Sequence, residues 1–330
     1  VRDAYGNAAN APAGVLPPSV TVSMGDDVAS VANVTAVGGY GNEFFVEYIA
    51  TVSGEYSVGV FVGGVKVSGS PFESVVVAGA ASAGASIAEG EGLTGGSAGT
   101  SRVTFSILSH DAYGNMRTSG GDVFEVSISG NGSFAAEVDD LGGGRYKAEY
   151  ALGSVTGDFH VSVLLSGEHI HGSPFEAVIG PANLSVSAYV AVGEGLQEAT
   201  AGERASFTVQ VKDTFGNDHD ASSETLEGTL TCLTCEASNE VKFRESDGPN
   251  GLYHMGYEVN VSGEYSMSVM SGGEHVGGSP FRVEVVPGDI AYDRCVVSGD
   301  GVNGTIVATD SASFTVQARD RFGNALQVGG

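Results

Sequence analysis

Cysteines are the residues in this chain whose type and spacing most suggest chemistry. Cys232 and Cys235 form a Cys-x-x-Cys pair, and Cys295 is the third cysteine of the chain. A zinc site needs about four ligands, and a thioredoxin-like redox motif needs a helix after the pair. The sequence offers neither a second pair nor a helical pattern at this point. It therefore predicts either a local disulfide between Cys232 and Cys235 or free thiols, with Cys295 free or paired elsewhere.

Histidine and glutamate side chains are the candidates for metal binding. His169 and His171 alternate, so both could face one side of a strand, but they directly precede a glycine turn, which favours a surface role. Glu89, Glu91 and Glu194 stand near predicted domain junctions, where carboxylates could bind Ca²⁺ weakly. Calcium takes six to eight oxygen ligands, and the sequence contains no dense Asp/Asn cluster of that kind. We expect no cofactor, with weak interdomain Ca²⁺ as the alternative.

Catalytic motifs are the next candidates. The sequence contains no nucleophile elbow, no His-Glu-x-x-His and no phosphate-binding loop. The glycine run Gly142 to Gly144 stands where a hairpin is expected, and it does not open a helix. We therefore predict that the chain is not an enzyme.

Asparagine sequons indicate where the protein could reside. Five Asn-x-Ser/Thr sequons are N-glycosylation candidates, which favours a secreted or cell-surface protein. The alternative is a cytoplasmic, cytoskeletal protein in which these sequons have no role. The five asparagines are Asn33, Asn131, Asn183, Asn260 and Asn303.

The net charge limits the partners. The 40 acidic and 14 basic residues give a formal charge of −26. Such a surface repels phosphate backbones and anionic membrane leaflets. No stretch approaches the roughly 18 apolar residues that a membrane-spanning helix needs. We expect protein partners, either other subunits or neighbouring repeats of the same chain or fibre, with no nucleic acid and no membrane insertion within this segment.

Internal repetition is the strongest signal in the sequence. Several short words recur in fixed order, roughly one hundred residues apart, which indicates tandem structural units. The word Asp-x-x-Gly-Asn starts at Asp3, Asp111, Asp213 and Asp320; Gly-Ser-Pro-Phe starts at Gly69, Gly172 and Gly278; Gly-Glu-Gly-Leu starts at Gly90 and Gly193.

Alternating apolar residues inside each unit predict β-strands with one buried face. Apolar residues alternate before the Asp-x-x-Gly-Asn words, as expected for strand B, and again in strand F after a glycine and an acidic residue. A unit of about one hundred residues matches a seven-stranded immunoglobulin-like sandwich. The aromatics Tyr56, Phe159 and Tyr265 open strand F, where a tyrosine hydroxyl often locks a corner; Phe159 lacks that hydroxyl.

The other recurring aromatics are expected to contribute to the core. Asp-x-x-Gly-Asn is a turn signal, because Asp and Asn bond to local backbone and glycine accepts positive φ. We predict that its aromatic, Tyr113 or Phe215, caps the end of the core. Proline in Gly-Ser-Pro-Phe restricts strand G to a start or an edge. The phenylalanines that follow it, Phe72, Phe175 and Phe281, are predicted to be buried plugs.

These words together resemble the filamin-type immunoglobulin-like repeat, with His169 to Phe175 as the closest match to its closing motif. The resemblance implies tandem all-β sandwiches in a linear array. It also implies β-augmentation, in which a partner peptide adds a strand at an open edge; the equivalent edges are Ser19 to Met24, Val123 to Ser129 and Glu224 to Thr231. The Asp-Ala-Tyr-Gly-Asn form also resembles invasin-type and algal or protist surface repeats. The sequence contains no calponin-homology segment, so the family's actin binding does not carry over.

The positions of the words define the domains. We predict a partial repeat without strands A and B (1–79), two repeats (80–180 and 181–287) and a partial repeat with strands A and B only (288–330). Such ends fit either a longer array or head-to-tail donor-strand closure. The short linkers, 77–86, 178–183 and 285–289, predict semi-rigid neighbours.

The predicted function is that of a load-bearing segment of a large extracellular fibre, flagellar hair or adhesion protein. The alternative is a cytoplasmic filamin-like scaffold that binds partner peptides at the C–D edge.

Overall fold

Alternation of apolar and polar residues decides which parts of this chain become strands. The computed structural model describes residues 5, 17–25, 27–31, 33–36, 44–220, 224–235, 244–247 and 249–327. Within these ranges the chain is nearly all β-structure, so the predicted fold class is confirmed. The described residues separate into two compact units, one drawn from 1–96, 100–153 and 157–179, and the other from 97–99, 154–156 and 180–330.

The first repeat contains the strands that correspond to C through G. Its main sheet runs β2-β1-β5, with β6 and β7 also paired to β5, and β3 pairs with β4. The strands are β1 (Ser19–Met24), β2 (Asp27–Val31), β3 (Asn33–Ala36), β4 (Phe44–Glu47), β5 (Gly54–Val62), β6 (Val65–Lys66) and β7 (Phe72–Val76).

The second repeat forms two sheets. One sheet runs β13-β14-β10-β8 and the other β12-β11-β15-β17-β9, with β16 paired to β15. The strands are β8 (Ile87–Glu89), β9 (Gly95–Ser97), β10 (Val103–Leu108), β11 (Phe124–Gly130), β12 (Gly132–Ala135), β13 (Glu137–Gly142), β14 (Arg145–Tyr150), β15 (Gly157–Leu165), β16 (Glu168–His169) and β17 (Phe175–Gly180).

The third repeat has the same plan. One sheet runs β18-β20-β23-β22 and the other β19-β26-β24-β21, with β25 paired to β24. The strands are β18 (Val190–Val192), β19 (Glu198–Thr200), β20 (Arg204–Gln210), β21 (Leu226–Cys232), β22 (Arg244–Asp247), β23 (Leu252–Glu258), β24 (Gly263–Ser271), β25 (Glu274–His275) and β26 (Phe281–Val286).

The last part of the chain contains the strands that correspond to A and B. They are β27 (Val296–Ser298) and β28 (Thr315–Gln317), which pair with each other, and a short helix α1 (Asp300–Asn303) follows β27. Short 3-10 helices complete the described helical structure: Glu91–Leu93, Val186–Ala188, Glu194–Leu196, Pro249–Gly251 and Tyr292–Arg294. The strands of each sheet stay within one predicted repeat, and the residue boundaries of the repeats remain predictions.

Each sandwich core is built from the inward residues of the alternating strands. In the third repeat, Phe207 and Val209 of β20 face Met267 and Val269 of β24 across the core, and all four are buried. Burying side chains of this size stabilises the fold by roughly 1.5–3 kcal/mol each. The recurrent aromatic of strand F, Tyr265, is fully buried in the same cluster.

The word Gly-Glu-Gly-Leu joins the start of each complete repeat to its core. Its leucines, Leu93 and Leu196, are buried. A tyrosine hydroxyl from β14 or β23 donates to the carbonyl of the second glycine, with distances of 2.5 Å from Tyr150 Oη to Gly92 O and 2.6 Å from Tyr257 Oη to Gly195 O. Burial raises the pKa of Tyr257 to about 12.

The prediction that the phenylalanine of Gly-Ser-Pro-Phe is a buried plug is wrong. Phe72 is 46% exposed, and Phe175 and Phe281 are only half-buried. Each ring lies over the glycine of its own word, and Phe281 also packs against the core of the third repeat from its outer side. A Cβ on Gly172 would be 3.1 Å from the Phe175 ring. The positive φ of this glycine lets the chain fold back under the ring.

Two of the three predicted open edges are wrong over part of their length. Ser19–Met24 (β1) pairs with β2 on one side and β5 on the other. In the stretch 123–129, β11 pairs with β15 along its length and with β12 from Ser127 onward. In these two repeats a short strand folds back beside strand C and occupies part of that edge, from Thr21 to Met24 in β1 and from Ser127 to Gly130 in β11. Within the described residues, β21 is the last strand of its sheet, so the segment near 224–231 remains a candidate edge.

Candidate functional site: the repeat junctions

A buried aspartate anchors each described Asp-x-x-Gly-Asn turn. Asp111 is 3% exposed, although it is a charged residue. Its Oδ1 accepts hydrogen bonds from the amides of Tyr113 (2.9 Å) and Asn115 (3.0 Å), as the turn signal predicts. Its Oδ2 accepts a bond of 2.8 Å from the amide of Gly79, which lies in the segment leading from the preceding repeat. One carboxylate therefore holds both the turn and the incoming chain.

The same arrangement recurs in the other copies. Asp213 accepts from the Ala182 amide at 2.8 Å, and Asp320 accepts from the Gly288 amide at 2.9 Å. Both aspartates are fully buried. The linker predicted as a connecting segment is thus bonded into the repeat that follows it. Ser86, at the end of the predicted linker 77–86, is also fully buried.

The electrostatic environment keeps these aspartates ionised. Burial by itself raises the pKa of Asp111, but hydrogen bonds from the Asn115 side chain and from the amides of Gly79, Asn115 and Tyr113 outweigh it and lower the pKa to about 2. The pKa values of Asp213 and Asp320 are lowered by the same balance of burial and opposing hydrogen bonds. Hydrogen bonds to the charged form are the physical cause.

The asparagine of the same word reaches the preceding repeat. Asn115 Nδ2 donates to the carbonyl of Thr51 at 2.7 Å, and Asn115 Oδ1 accepts from the amide of Ser53 at 2.8 Å. Thr51 and Ser53 belong to the loop between β4 and β5. The side-chain amide of Asn115 therefore brackets a loop of the preceding repeat, which means that it forms one hydrogen bond to each of two backbone groups of that loop.

The contact is repeated at the equivalent positions. Asn324 Nδ2 donates to Asn260 O at 2.8 Å, and its Oδ1 accepts from Ser262 N at 3.0 Å. Asn217 Nδ2 donates to Ser154 O at 2.8 Å within the second unit. We call the Asp and Asn of one word, with the loop that the Asn brackets, the junction clasp.

The buried aspartate also orients the bracketing asparagine. Asn115 Nδ2 lies 2.8 Å from Asp111 Oδ2, and Asn324 Nδ2 lies 2.7 Å from Asp320 Oδ2. An amide NH₂ has two hydrogens, so one is held by the carboxylate and the other points at the loop carbonyl. The amide is therefore positioned before the loop is bound, which lowers the entropy cost of the contact.

The aromatic of the word does not cap its own core, and that prediction is wrong. Tyr113 is 69% exposed and Phe215 is half exposed. Within the second unit, the Phe215 ring lies on Gly99, where a Cβ would be 2.4 Å from the ring, and the Phe322 ring lies on Gly202, where it would be 2.2 Å away. These glycines precede strand B of the earlier repeat. The aromatic thus adds an apolar contact beside the clasp.

Sequence reasoning missed the clasp because it explained the word as a local turn. One available signal was that Asp and Asn recur in all four copies, while the two residues between Asp and Gly change. A turn alone tolerates Ser, Gly or exchange of Asp and Asn at these positions.

Of the two histidine candidates, His169 has a structural partner, and His171 is exposed. His169 Nδ1 and His275 Nδ1 each lie 2.9 Å from a serine hydroxyl of the Gly-Ser-Pro-Phe word, Ser173 and Ser279. The Ser173 hydroxyl also accepts from the Val163 amide of β15 at 2.9 Å. In the part of the chain that the structure describes, no three His, Cys, Asp or Glu side chains are grouped for metal binding. Calcium at Glu89, Glu91 or Glu194 stays an untested expectation.

The cysteine pair lies at the end of β21. Cys232 and Cys235 are joined in the structure, with their Cα atoms 5.6 Å apart, and Cys295 is free. The oxidation state in solution remains a prediction.

Four of the five sequon asparagines have described side-chain positions, and all four are exposed: Asn131, Asn183, Asn260 and Asn303. Asn33 lies in β3, and its side chain is outside the described set. Exposure permits glycosylation and does not test it. Of the helices that the structure describes, none has the length and apolar character needed to cross a membrane.

The fold defines a class of protein, a tandem set of immunoglobulin-like sandwiches. The Filamin/ABP280 repeat matches residues 80–176 and 183–282, so the chain belongs to the filamin repeat family.

Relatives support this assignment, and a solved structure supports the fold. Filamin-C of Mus musculus is 31% identical over 278 residues, which cover 83% of this chain and 9% of that protein. Filamin-A of Drosophila melanogaster is 28% identical over 286 residues, covering 84% of this chain and 12% of that protein. The chain therefore spans about a tenth of the length of these relatives. FdeC, an adhesin of Escherichia coli, has a similar fold, with a TM-score of 0.51, 20% identity and coverage of 86% of this chain and 89% of that one.

Proposed function

We propose that this segment is a load-bearing module of an extracellular or cell-surface protein, in which the junction clasps transmit force from one repeat to the next. The observation that carries the proposal is the recurrence of one contact: Asn115, Asn217 and Asn324 each donate to a loop carbonyl 63 or 64 residues upstream. A flexible string of independent domains would need only a linker.

The clasp suits load-bearing because it joins parts that are far apart in sequence. Asp111 holds the incoming chain at Gly79, and Asn115 holds the loop at Thr51 and Ser53. Bending at this junction would have to break charge-assisted and neutral hydrogen bonds together, each of which contributes about 0.5–3 kcal/mol. The junction should therefore resist bending more than a short linker does.

An extracellular location is supported by the exposed sequons Asn131, Asn183, Asn260 and Asn303 and by the joined Cys232–Cys235 pair. Disulfides persist mainly in oxidising compartments. The proposal needs no cofactor and no catalytic residue. Its partners are other protein subunits or further repeats of the same fibre.

A second candidate is a cytoplasmic scaffold that binds peptides by β-augmentation. The position of β21 at the end of its sheet, among the described strands, favours this candidate at the third repeat. A peptide that adds a strand there would shift the β21 amide resonances and leave those of β11 unchanged.

One experiment tests the mechanical proposal, and a second tests location. Stretching of single molecules should show that Asn115→Ala together with Asn324→Ala lowers the bending stiffness of the array while each sandwich unfolds at its usual force. Equal stiffness in the variant and the parent chain would refute the mechanical role. Separately, glycan on Asn131 or Asn260 after purification from the native source would support the surface location, and unmodified asparagines together with reduced cysteines would favour the scaffold.

A further inference from the structure

The disulfide loop of the third repeat is connected by contacts to the junction clasp of Asn324. Cys232 ends β21, and the loop 232–235 packs on the first residues of β24. The Leu233 amide donates to Glu264 O at 2.7 Å, and the Glu264 amide donates to Thr234 Oγ1 at 3.0 Å. The two residues enclosed by the disulfide therefore hold both backbone groups of Glu264.

The same loop supports the tyrosine that holds the bracketed segment. Cys235 Sγ lies 3.6 Å from Tyr265 Oη, and this hydroxyl donates to Val261 O at 2.8 Å. Val261 stands between Asn260 and Ser262, the two residues that Asn324 brackets. A continuous set of contacts thus joins the disulfide to the clasp, through Tyr265 and then Val261.

The other repeats fill the corresponding place without cysteine. In the first repeat, a Cβ on Gly54 would be 2.9 Å from Met24 Sδ. In the second, the Phe134 ring lies 5.6 Å from the ring of Phe159, which is the equivalent of Tyr265. In the third repeat the residues nearest Gly263 are Thr234, Cys232 and Cys235. The third repeat therefore has a disulfide, which a reductant can cleave reversibly, where the other two have the apolar side chains of Met24 and Phe134.

We propose that the Cys232–Cys235 disulfide is a redox control on the clasp between the third repeat and Asn324, and that reduction loosens this junction while the junction at Asn115 is unaffected. The inference rests on the proposed function, since it describes how one clasp is regulated. A dithiol supplies two electrons and two protons; its thiolate attacks one sulfur, the mixed disulfide resolves, and Cys232 and Cys235 leave as thiols while the reductant closes to a cyclic disulfide.

Loss of the bond affects the clasp because it frees the backbone of a four-residue ring. Without the disulfide the segment 232–235 gains conformational entropy. The hydrogen bonds of Leu233 and Thr234 to Glu264 are therefore broken more often. The segment 260–262 then opens more often, and the Ser262 amide exchanges during those openings.

Amide hydrogen exchange tests the proposal on the whole chain, in a Cys295→Ser background so that dithiothreitol acts on one disulfide. The reporter is the Ser262 amide, which donates to Asn324 Oδ1, and the matched control is the Ser53 amide, which donates to Asn115 Oδ1. We expect dithiothreitol to speed exchange at Ser262 by about tenfold and to leave Ser53 unchanged. A Cys232→Ser, Cys235→Ser variant should reproduce the faster rate without reductant.

The outcomes separate this inference from the proposed function. Equal, slow exchange at Ser262 with and without dithiothreitol overturns the redox control and leaves the clasp intact. Unprotected Ser262 in both states, with no further change in Asn324→Ala, overturns the clasp as well. Alkylation of Cys232 and Cys235 in the native, unreduced chain also overturns the inference, because no disulfide is then present to be reduced.

Discussion

Asn324 Nδ2 lies 2.8 Å from the carbonyl oxygen of Asn260, which precedes it by 64 residues. Asn115 stands in the same relation to Thr51, again 64 residues upstream. The separation is the same because the bracketed loop of each repeat is contacted by the Asp-x-x-Gly-Asn turn of the next repeat. Any repeat that has this loop can therefore form the contact with the Asp-x-x-Gly-Asn word of the following repeat.

Replacement of Asn115 by alanine should weaken the first clasp without unfolding either sandwich. The Thr51 carbonyl and the Ser53 amide lose their partner, at a cost of about 1–2 kcal/mol in the coupling between the repeats. Exchange of the Ser53 amide should accelerate, whereas core amides of β10 should keep their rates. Asn303→Ala, at an exposed position in α1, is the control. Unchanged exchange at Ser53 in Asn115→Ala would contradict the clasp.

The sandwich itself was predictable because burial imposes a period of two on each strand. The alternation at Phe207, Val209 and Val211 is set by which face meets the core, and a shift by one residue would expose all of them. The tyrosine at the start of strand F was predictable for a similar reason: Tyr56 Oη donates to Val52 O at 2.7 Å, a bond between residues four apart.

The junction was not predictable in this way because its partners are distant in sequence. Asn115 has a local role in the turn, and that role alone would explain an asparagine at this position. Its contacts with Thr51 and Ser53 are visible only in the structure. The half-buried Phe175 was misjudged for a related reason. Its apolar type indicates burial, but whether the ring is fully or only half buried depends on the direction of the backbone after the proline.

Acid should destabilise the junctions in a defined pH range. The pKa of Asp111 is lowered from an ordinary value near 4 to about 2 in the folded chain. A carboxyl group whose folded pKa is depressed contributes stability above its unfolded pKa and loses that contribution as pH falls through the folded pKa. Thermal stability should therefore be insensitive to Asp111 above pH about 4 and should decline between pH about 4 and 2.

The variant Asp111→Asn identifies this carboxylate as a source of the acid response. It keeps the size of the side chain but replaces one acceptor oxygen with a donor, so the Gly79 amide or the Asn115 amide loses its partner. We expect a loss of about 1–3 kcal/mol at neutral pH and a shallower decline in acid. A variant whose stability falls with pH as steeply as that of the parent chain would show that Asp111 is not linked to acid unfolding.

Tyr265→Phe should reproduce in the third repeat the condition found naturally at Phe159. The Val261 carbonyl loses the hydroxyl donor at 2.8 Å, while the ring stays in the core. We expect a loss of about 1 kcal/mol in the free energy of unfolding. Tyr292→Phe, at a position 84% exposed, serves as the control and should have no measurable effect. Denaturant unfolding measures both, and equal midpoints for the two variants would rule out a stabilising role for the corner.

Gly202→Ala tests the contact between Phe322 and the preceding repeat. A Cβ at this position would lie 2.2 Å from the Phe322 ring and 2.5 Å from the Arg321 guanidinium, so both side chains must move. Arg321 also donates to Gly202 O at 2.9 Å. Displacement of these side chains should expose the chain after Arg321, and tryptic cleavage there should become several-fold faster as local opening becomes easier.

Backbone strain confounds this substitution, because Gly202 has a φ of +80° and alanine costs about 1–2 kcal/mol in that region. Gly216→Ala is the matched control. Gly216 has a φ of +85°, and a Cβ there meets nothing within 4 Å. Both variants should therefore lose similar stability from strain, but only Gly202→Ala should accelerate cleavage after Arg321. Equal cleavage rates in the two variants would mean that the ring of Phe322 does not depend on the space that Gly202 leaves.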